Sequence, residues 1–345
     1  MPRYDKGKKE INMEYTNLGR TGVQVSRLAL GCMMFGWRTN EADSFRIIDR
    51  AIDAGINFLD TANIYGRGSS EEVVGKALQR NGKREKIVLA TKVYHRMDDH
   101  DPNAFGNSRR HIIEQCELSL KRLQTDHVDL YQIHRPMSQI PMDETLRALD
   151  DLVRSGKVRY LGTSTFPAWR VVESLWVSKE YGLNRFVTEQ APYNLLDRRI
   201  ERELIPVAQS YGLGLIPWSP LAAGFLTGKY QRDFRPAEAR LQKENEWYDR
   251  HFKEPAFVLV DELVSYVKKK QCTASQFALA WCLRQPGITS PIIGPRTMEQ
   301  FEDNLKALDL ALTEEDRAFV DRIAPPGRVT IDYYEADFAQ SQFHW

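Results

Sequence analysis

The stretch "INFLDTANIYGRGSSEEVVGKAL", residues 56–78, compresses a strand, a loop and a helix start into one short segment. An apolar run from Ile56 to Leu59 ends in Asp60, and Tyr65 follows among loop-forming residues. Ser69 and Glu72 then stand at capping-box spacing ahead of an amphipathic helix. Taken alone, the segment has a plain structural reading in which Asp60 caps a turn and Tyr65 is a surface aromatic. Its meaning depends on whether the rest of the chain repeats the pattern.

The strand–helix rhythm does repeat. Apolar runs occur at "RLALG" (27–31), "INFLD" (56–60), "KIVLATK" (86–92), "VDLYQIH" (128–134), "VRYLGTS" (158–164), "RFVTEQ" (185–190), "LGLIPWS" (213–219) and "ITSPIIG" (288–294). Helical patterns separate them, with start signals at Asn40, Ser69/Glu72, Ser108, Thr273/Gln276 and Thr297/Gln300. Gly55, Gly156, Gly182 and Gly212 mark stops. Eight strands alternating with helices in a chain of this length predict an α/β fold, a closed (β/α)8 TIM barrel. No G-x-G-x-x-G follows the first strand, which disfavours a doubly wound sheet. "YTNLGRTGVQVSRL" reads as an N-terminal β-hairpin that plugs the barrel bottom, with its turn at Arg20-Thr21-Gly22. Residues 1–13 read as a flexible tail and 14–345 as a single domain, ending in a C-terminal tail at 323–345. The long connection at 222–255 reads as a functional loop on the C-terminal face.

Composition excludes several classes. The 345 residues carry 48 basic and 47 acidic side chains, so no general affinity for nucleic acid or an anionic membrane follows. No apolar run approaches the roughly 20 residues of a membrane span, and the start lacks a signal-peptide core. Cys32, Cys116, Cys272 and Cys282 are scattered without metal-type spacing, which suits buried thiols and a cytoplasmic protein. No metal site is expected, because His134 alone among the strand ends offers a histidine ligand.

Barrel chemistry gathers at the C-terminal ends of strands. The second, third and fourth runs end in Asp60, Lys92 and His134. Period-two alternation points Phe58 with Asp60, Ala90 with Lys92, and Gln132 with His134, toward the barrel interior. One such residue is easily a cap or a packing group; three on consecutive strands, with Tyr65 beside the first, point to chemistry. A phenol titrates near ~10 and is a weak acid at neutrality, but an adjacent ammonium favours the phenolate. Lys92 can supply that charge, Asp60 can hold Lys92, and neutral His134 can orient a substrate oxygen. The set donates a proton and polarises a C=O, but the electrons must come from a cofactor.

"FLDTANIYG", "LATKV", "DLYQIHRP", "GTSTF", "EQAPYNLLDR", "IPWSPLAAGFLTGKY" and "IIGPRTMEQFEDNL", in order between about residues 14 and 322, resemble the aldo-keto reductases. Within them, the resemblance is closest to bacterial branches that include deoxysugar ketoreductases. It implies a barrel binding NADP(H) across its mouth, with Asp60, Tyr65, Lys92 and His134 as the catalytic tetrad. Ser164 and Gln190 fall on positions that bond the nicotinamide carboxamide, and Trp218 on the aromatic that stacks on the ring. Ser219, Leu221 and Gly224 would line the pyrophosphate, with Gly294, Gln300 and Asn304 further along the cofactor. Independently, Thr297–Asn304 opens a helix after the eighth strand, a ready anion site, and Arg296 beside it can clamp a 2′-phosphate. Thr165 stands where many members carry Asn, and Gln300 where Arg is common. The second departure weakens the case for NADPH over NADH, but Arg296 keeps NADPH as the expected cofactor, with NADH as the alternative.

The substrate side falls to variable loops: Phe35 and Trp37, Tyr94, His95 and Arg96, Arg135, and Trp247 with Tyr248. These suit a sugar-like, cyclic or aromatic carbonyl or the matching alcohol. Tyr333, Tyr334 and Trp345 either cover the mouth or pack on another copy in a homo-oligomer. The rival readings are a non-catalytic NADP-binding regulatory subunit and a metal-dependent barrel hydrolase.

Overall fold

The computed structural model describes residues 13–331 apart from 238, 242–248 and 250. Residues 1–12 of the tail expected at 1–13, the loop aromatics Trp247 and Tyr248, and Tyr333, Tyr334 and Trp345 lie outside the described residues. The chain opens with a hairpin of β1 (Tyr15–Asn17) and β2 (Gln24–Ser26), paired antiparallel with Tyr15 opposite Ser26. Eight parallel strands follow: β3 (Ala29–Gly31), β4 (Phe58–Asp60), β5 (Val88–Val93), β6 (Val128–Ile133), β7 (Val158–Ser164), β8 (Phe186–Gln190), β9 (Gly214–Leu215) and β10 (Ile292–Ile293). They pair in sequence order, and β10 returns to β3. A parallel bridge from Leu215 to Ile288 and the Ile292 N–H donating to Pro217 O at 2.8 Å join the two ends, giving the (β/α)8 barrel.

Alternation along the strands divides the core in two. Ala29, Phe58, Val88, Ala90, Leu130, Ile216 and Ile292 fill the barrel interior with Leu18 and Val25 of the hairpin. Leu30, Leu59, Leu89, Tyr131, Ile133 and Leu161 face the helices. Asp60 and Lys92 therefore share the inward register of Phe58 and Ala90, as the period-two reading expects. The hairpin closes the N-terminal end. At Gly19, with φ +58, a Cβ would meet Val187 O at 2.5 Å and the Gly214 nitrogen at 2.7 Å, so the turn fits there only without a side chain.

Most helix signals hold. Asn40 accepts from Asp43 N–H, Ser108 from His111 N–H, and Thr273 with Gln276 forms a complete capping box. Two differ. Ser69 does not cap its helix: Gly68 occupies the cap position at φ +105, and Ser69 is the first helical residue. The preceding Gly66 and Arg67 are also left-handed, so the backbone of this turn, not a side chain, sets where the helix begins. Thr297 accepts from Gln300 N–H, but the Gln300 amide reaches back to the Arg296 N–H at 2.9 Å instead of the cap residue's own. A further box, Thr313 with Asp316, starts a last helix, Glu314–Ile323, that the sequence reading passes over.

Candidate active site

A cavity of about 540 Å³ opens where the C-terminal ends of the strands converge, a size common for ligand clefts. Asp60, Tyr65 and His134 line it, and Lys92 lies fully buried behind them. The Lys92 ammonium donates to Asp60 Oδ2 at 2.5 Å, to Thr61 O at 2.8 Å and to Tyr65 Oη at 3.2 Å. Gln132 and Gln190 donate to the other Asp60 oxygen at 3.0 and 2.9 Å, so both carboxylate oxygens are satisfied. Burial alone would discharge Lys92. The charges of Asp60 and Tyr65 and their hydrogen bonds overcome it and raise its pKa above the ordinary lysine value. A buried ammonium is thus fixed against a phenol at the cavity wall.

His134 packs edge-on against Tyr65, ring centroids 5.7 Å apart, and against His95 at 4.8 Å. Burial, then the charges of Arg135 and Lys92, push His134 well below the usual imidazole range. His95, also in the wall, falls to about 4 through burial and Arg135. Both rings are neutral at pH 7 and can donate a hydrogen bond without carrying charge.

Ser164, Gln190 and Trp218 line the next part of the wall. Ser164 Oγ donates to Gln190 O at 3.0 Å. The Gln190 amide nitrogen is engaged by Asp60 and Gln132, which leaves its oxygen for a ligand. After Trp218 the backbone turns sharply: Ser219, Ala222, Ala223 and Gly224 all have positive φ. Three non-glycine residues in that region mark a constrained loop, and Ser219, Leu221 and Gly224 face the cavity. Gly294, Arg296, Gln300 and Asn304 complete this side at the start of helix Met298–Leu305.

Two cations there escaped the sequence reading. Lys229 and Arg240 line the same end as Arg296. Burial first, then repulsion from Arg296 and Arg240, lowers the Lys229 pKa. A Cβ on Gly224, at φ +88, would come within 2.7 Å of the Lys229 ammonium, so glycine there leaves room for it. The one sequence signal was the end of "IPWSPLAAGFLTGKY", where Lys229 precedes Tyr230; Arg240 had none.

The substrate-side expectations divide. Arg135 lines the cavity, as does His95, while Met33, Met34 and Ile64 supply apolar wall that the sequence did not single out. Phe35 does not line it: the side chain is fully buried in the core between strands and helices. Tyr94 is likewise packed away, edge-on to Phe105 and His95. Trp37 stands outside the cavity lining, 55% exposed, its indole donating to Met33 O at 2.6 Å. Arg96 is turned to its own loop, donating to Asp101 O at 2.6 Å. Thr165 adopts a left-handed φ of 61°, where Asn is at ease and a β-branched residue is not.

Comparison with known proteins agrees with this geometry. The family model described as "Aldo/keto reductase family" matches residues 27–325. An uncharacterized oxidoreductase, YrpG, of Bacillus subtilis (strain 168) is 43% identical, covering 93% of this chain and 99% of its own. A versiconal hemiacetal acetate reductase of Aspergillus parasiticus is 34% identical over 90% of this chain and 96% of its own. A probable voltage-gated potassium channel subunit beta of Oryza sativa subsp. japonica is 37% identical over 86% and 92%. With a family match across nearly the whole barrel and relatives aligned over almost their full length, this chain belongs to the aldo/keto reductase family.

Proposed function

We propose that the protein is an NADP(H)-dependent reductase of aldehydes or ketones, with Tyr65 as the general acid and, in the oxidative direction, the base. The observation that carries this reading is the buried Lys92 ammonium bonded at once to Asp60, at 2.5 Å, and to Tyr65, at 3.2 Å.

The cavity fits a dinucleotide by the chemistry of its donors. Lys229, Arg240 and Arg296 gather at one end, where their mutual repulsion calls for an anion, and a helix N-terminus adjoins them. Trp218 offers an aromatic face, and Ser164 with the Gln190 oxygen offers polar contacts for a carboxamide. The cation cluster favours NADPH over NADH, since a 2′-phosphate adds charge to be matched. When bound, a reduced nicotinamide supplies the hydride that none of these side chains can.

The rest is the chain's own work. Tyr65 gives its proton to the substrate oxygen as negative charge develops there, and Lys92 stabilises the phenolate left behind. Asp60 keeps Lys92 charged and is itself held by two amides, so the ammonium stays aimed at Tyr65. Neutral His134 directs the carbonyl oxygen toward Tyr65 without repelling Lys92.

The test is reduction of 4-nitrobenzaldehyde, followed by loss of reduced-nicotinamide absorbance. Tyr65→Phe should lower kcat/KM by about 10²–10⁴, the range for a positioned acid. NADPH should still quench tryptophan emission in the variant. Wild-type-like turnover in Tyr65→Phe refutes the assignment. A second reading, a nicotinamide-binding regulatory subunit, draws on the relatives named as potassium channel subunits beta. It requires NADPH quenching in the wild type with no turnover of any aldehyde or ketone.

A further inference from the structure

Tyr65 sits on a loop, residues 61–68, and a buried carboxylate that the proposed reaction does not use lies just beyond that loop. Glu71 is fully buried in the first turn of the helix Ser69–Asn81. One of its oxygens accepts from Thr91 Oγ1, and the other accepts from Arg122 Nε at 2.6 Å. Thr91 precedes Lys92 on β5, and alternation turns it with Leu89 toward the helices while Lys92 turns inward. Glu71 therefore ties the helix that follows Tyr65 to the strand that bears Lys92, on the opposite face of the sheet from the ammonium.

Arg122 carries the tie over the end of the loop. At Gly68, with φ +105, a Cβ would come within 2.7 Å of Arg122 Cδ, so the arginine stem lies directly across the last loop residue. The same helix, Arg109–Leu123, reaches the loop at Asn63, whose amide nitrogen donates to Gln115 Oε1 at 3.1 Å. The start of the loop is pinned separately. Thr61 O accepts from Lys92 at 2.8 Å, and the Thr61 hydroxyl meets Ser70 Oγ at 2.8 Å. Between these anchors Gly66, Arg67 and Gly68 are all left-handed, a path that holds only while its surroundings fix it. Of the three hydrogen bonds printed by the Lys92 ammonium on its neighbours, the one to Tyr65, at 3.2 Å, is the longest and the first to weaken if the loop drifts.

We infer that Glu71 is a positioning residue for Tyr65, fixing through Thr91 and Arg122 where the phenol stands relative to the Lys92 ammonium. This rests on the reductase reading of the site and deepens it. Glu71 is not part of the cavity lining, so it acts through the loop alone. A reacting group misplaced by about 1 Å loses about 10²-fold in rate, so a modest loosening reaches kcat.

Glu71→Gln tests this, because it keeps the length of the side chain and removes the charge that Arg122 matches. It should lower kcat for 4-nitrobenzaldehyde by about 10- to 10²-fold. KM for the aldehyde and NADPH binding, read by tryptophan quenching, should stay as in the wild type. Thr91→Val removes the other contact with little change in volume; it should act in the same direction more weakly, and it reads the tie if Glu71→Gln does not fold. Val320→Ala opens a space in the buried face of the last helix, outside the cavity lining, and should lose stability while keeping kcat. Wild-type kcat in folded Glu71→Gln, or an equal loss of kcat in Val320→Ala, overturns the inference. Amide hydrogen exchange reads the same device without turnover. Exchange should quicken across residues 61–68 in Glu71→Gln and keep its wild-type rate there in Val320→Ala. That result upholds the positioning role even if the wild type reduces no aldehyde, an outcome that would sink the reductase reading alone. Unchanged exchange in Glu71→Gln overturns the positioning role and leaves the reductase reading standing if the wild type reduces 4-nitrobenzaldehyde.

Discussion

Asp60→Asn removes one charge and almost no volume from the centre of the barrel, and the structure sets the size of the response. Lys92 is fully buried, and its contacts are Asp60 Oδ2 at 2.5 Å, one carbonyl at 2.8 Å and the phenol at 3.2 Å. Of these, Asp60 alone carries a full negative charge. Asparagine keeps the shape and can still accept from Lys92 through its one oxygen, while its amide nitrogen replaces the oxygen that Gln132 and Gln190 donate to, so those two amides must turn and the counter-charge is lost. Breaking a buried pair from one side costs about 3–5 kcal/mol. The pH dependence identifies the cause. In the wild type the folded Lys92 pKa is raised, so its contribution is complete below the unfolded value of ~10.4 and is lost as pH climbs through the folded value. In Asp60→Asn burial prevails and the folded pKa drops below ~10.4, so the deficit is complete at low pH and closes as pH rises toward ~10.4. Urea unfolding of both proteins from pH 7 to 10 should show the midpoints converge. The double variant Asp60→Asn/Lys92→Met should recover most of the lost stability at pH 7 while remaining inactive, because a neutral pair leaves no charge stranded. A deficit under about 1 kcal/mol, or one that does not change with pH, would refute the claim that Asp60 is what keeps Lys92 charged.

Thr165→Asn keeps an acceptor for Arg135 and removes a β-branched residue from the left-handed region; the urea midpoint should rise by the equivalent of about 0.5–1 kcal/mol. Lys229→Met should act in opposite directions on stability and on cofactor binding. Relief of repulsion from Arg240 and Arg296 should stabilise the ligand-free protein by a fraction of ~1 kcal/mol, discounted because Lys229 is partly exposed. NADPH binding, read by tryptophan quenching, should weaken about tenfold and lose part of its salt dependence. Because His134 is held far below its ordinary range, kcat for aldehyde reduction should show no break near pH 6.5. Stability should still fall as pH drops from ~6.5 toward 4, because His95 and His111, each lowered to about 4 by burial, take up protons more readily when unfolded. A midpoint flat across that range would count against their burial as neutral rings.

The barrel was legible because two periodicities, two for strands and 3.6 for helices, are written in apolar residues whose burial follows directly from them. Phe58 and Ala90 turned inward as alternation required, and Asp60 and Lys92 followed in register. Cap motifs were less reliable, for a physical reason visible at Ser69. A serine followed three residues later by glutamate permits a capping box but does not compel one, and the left-handed run Gly66–Gly68 had already fixed the helix start. Ser70 and Glu71 instead form tertiary contacts: Ser70 Oγ donates to Cys32 O at 2.8 Å, and Glu71 accepts from Arg122 at 2.6 Å. Nothing in the local pattern distinguishes those roles from a cap.

The site was legible where chemistry coincides with strand ends and hidden where it depends on loops. Asp60, Lys92 and His134 sit at positions the barrel geometry dictates, so register alone brings them together. Phe35 and Met34 lie side by side after β3, yet one is buried in the core and the other lines the cavity; no period applies in a loop, and aromatic character predicts burial as well as binding. Lys229 and Arg240 lie far from Arg296 in sequence, and only the fold brings them to the same end of the cavity as the arginine that the sequence did single out. Arg135 shows the same limit more sharply. In sequence it is one more residue after His134, whereas in the fold it is anchored by a threonine held in an unfavourable backbone conformation. Strain of that kind persists only where surrounding contacts over-determine it, here the Thr165 N–H on Gln190 O at 3.0 Å and the Glu189 carboxylate behind the turn. The left-handed backbone at Thr165 therefore sets its hydroxyl where Arg135, on the cavity wall, donates to it.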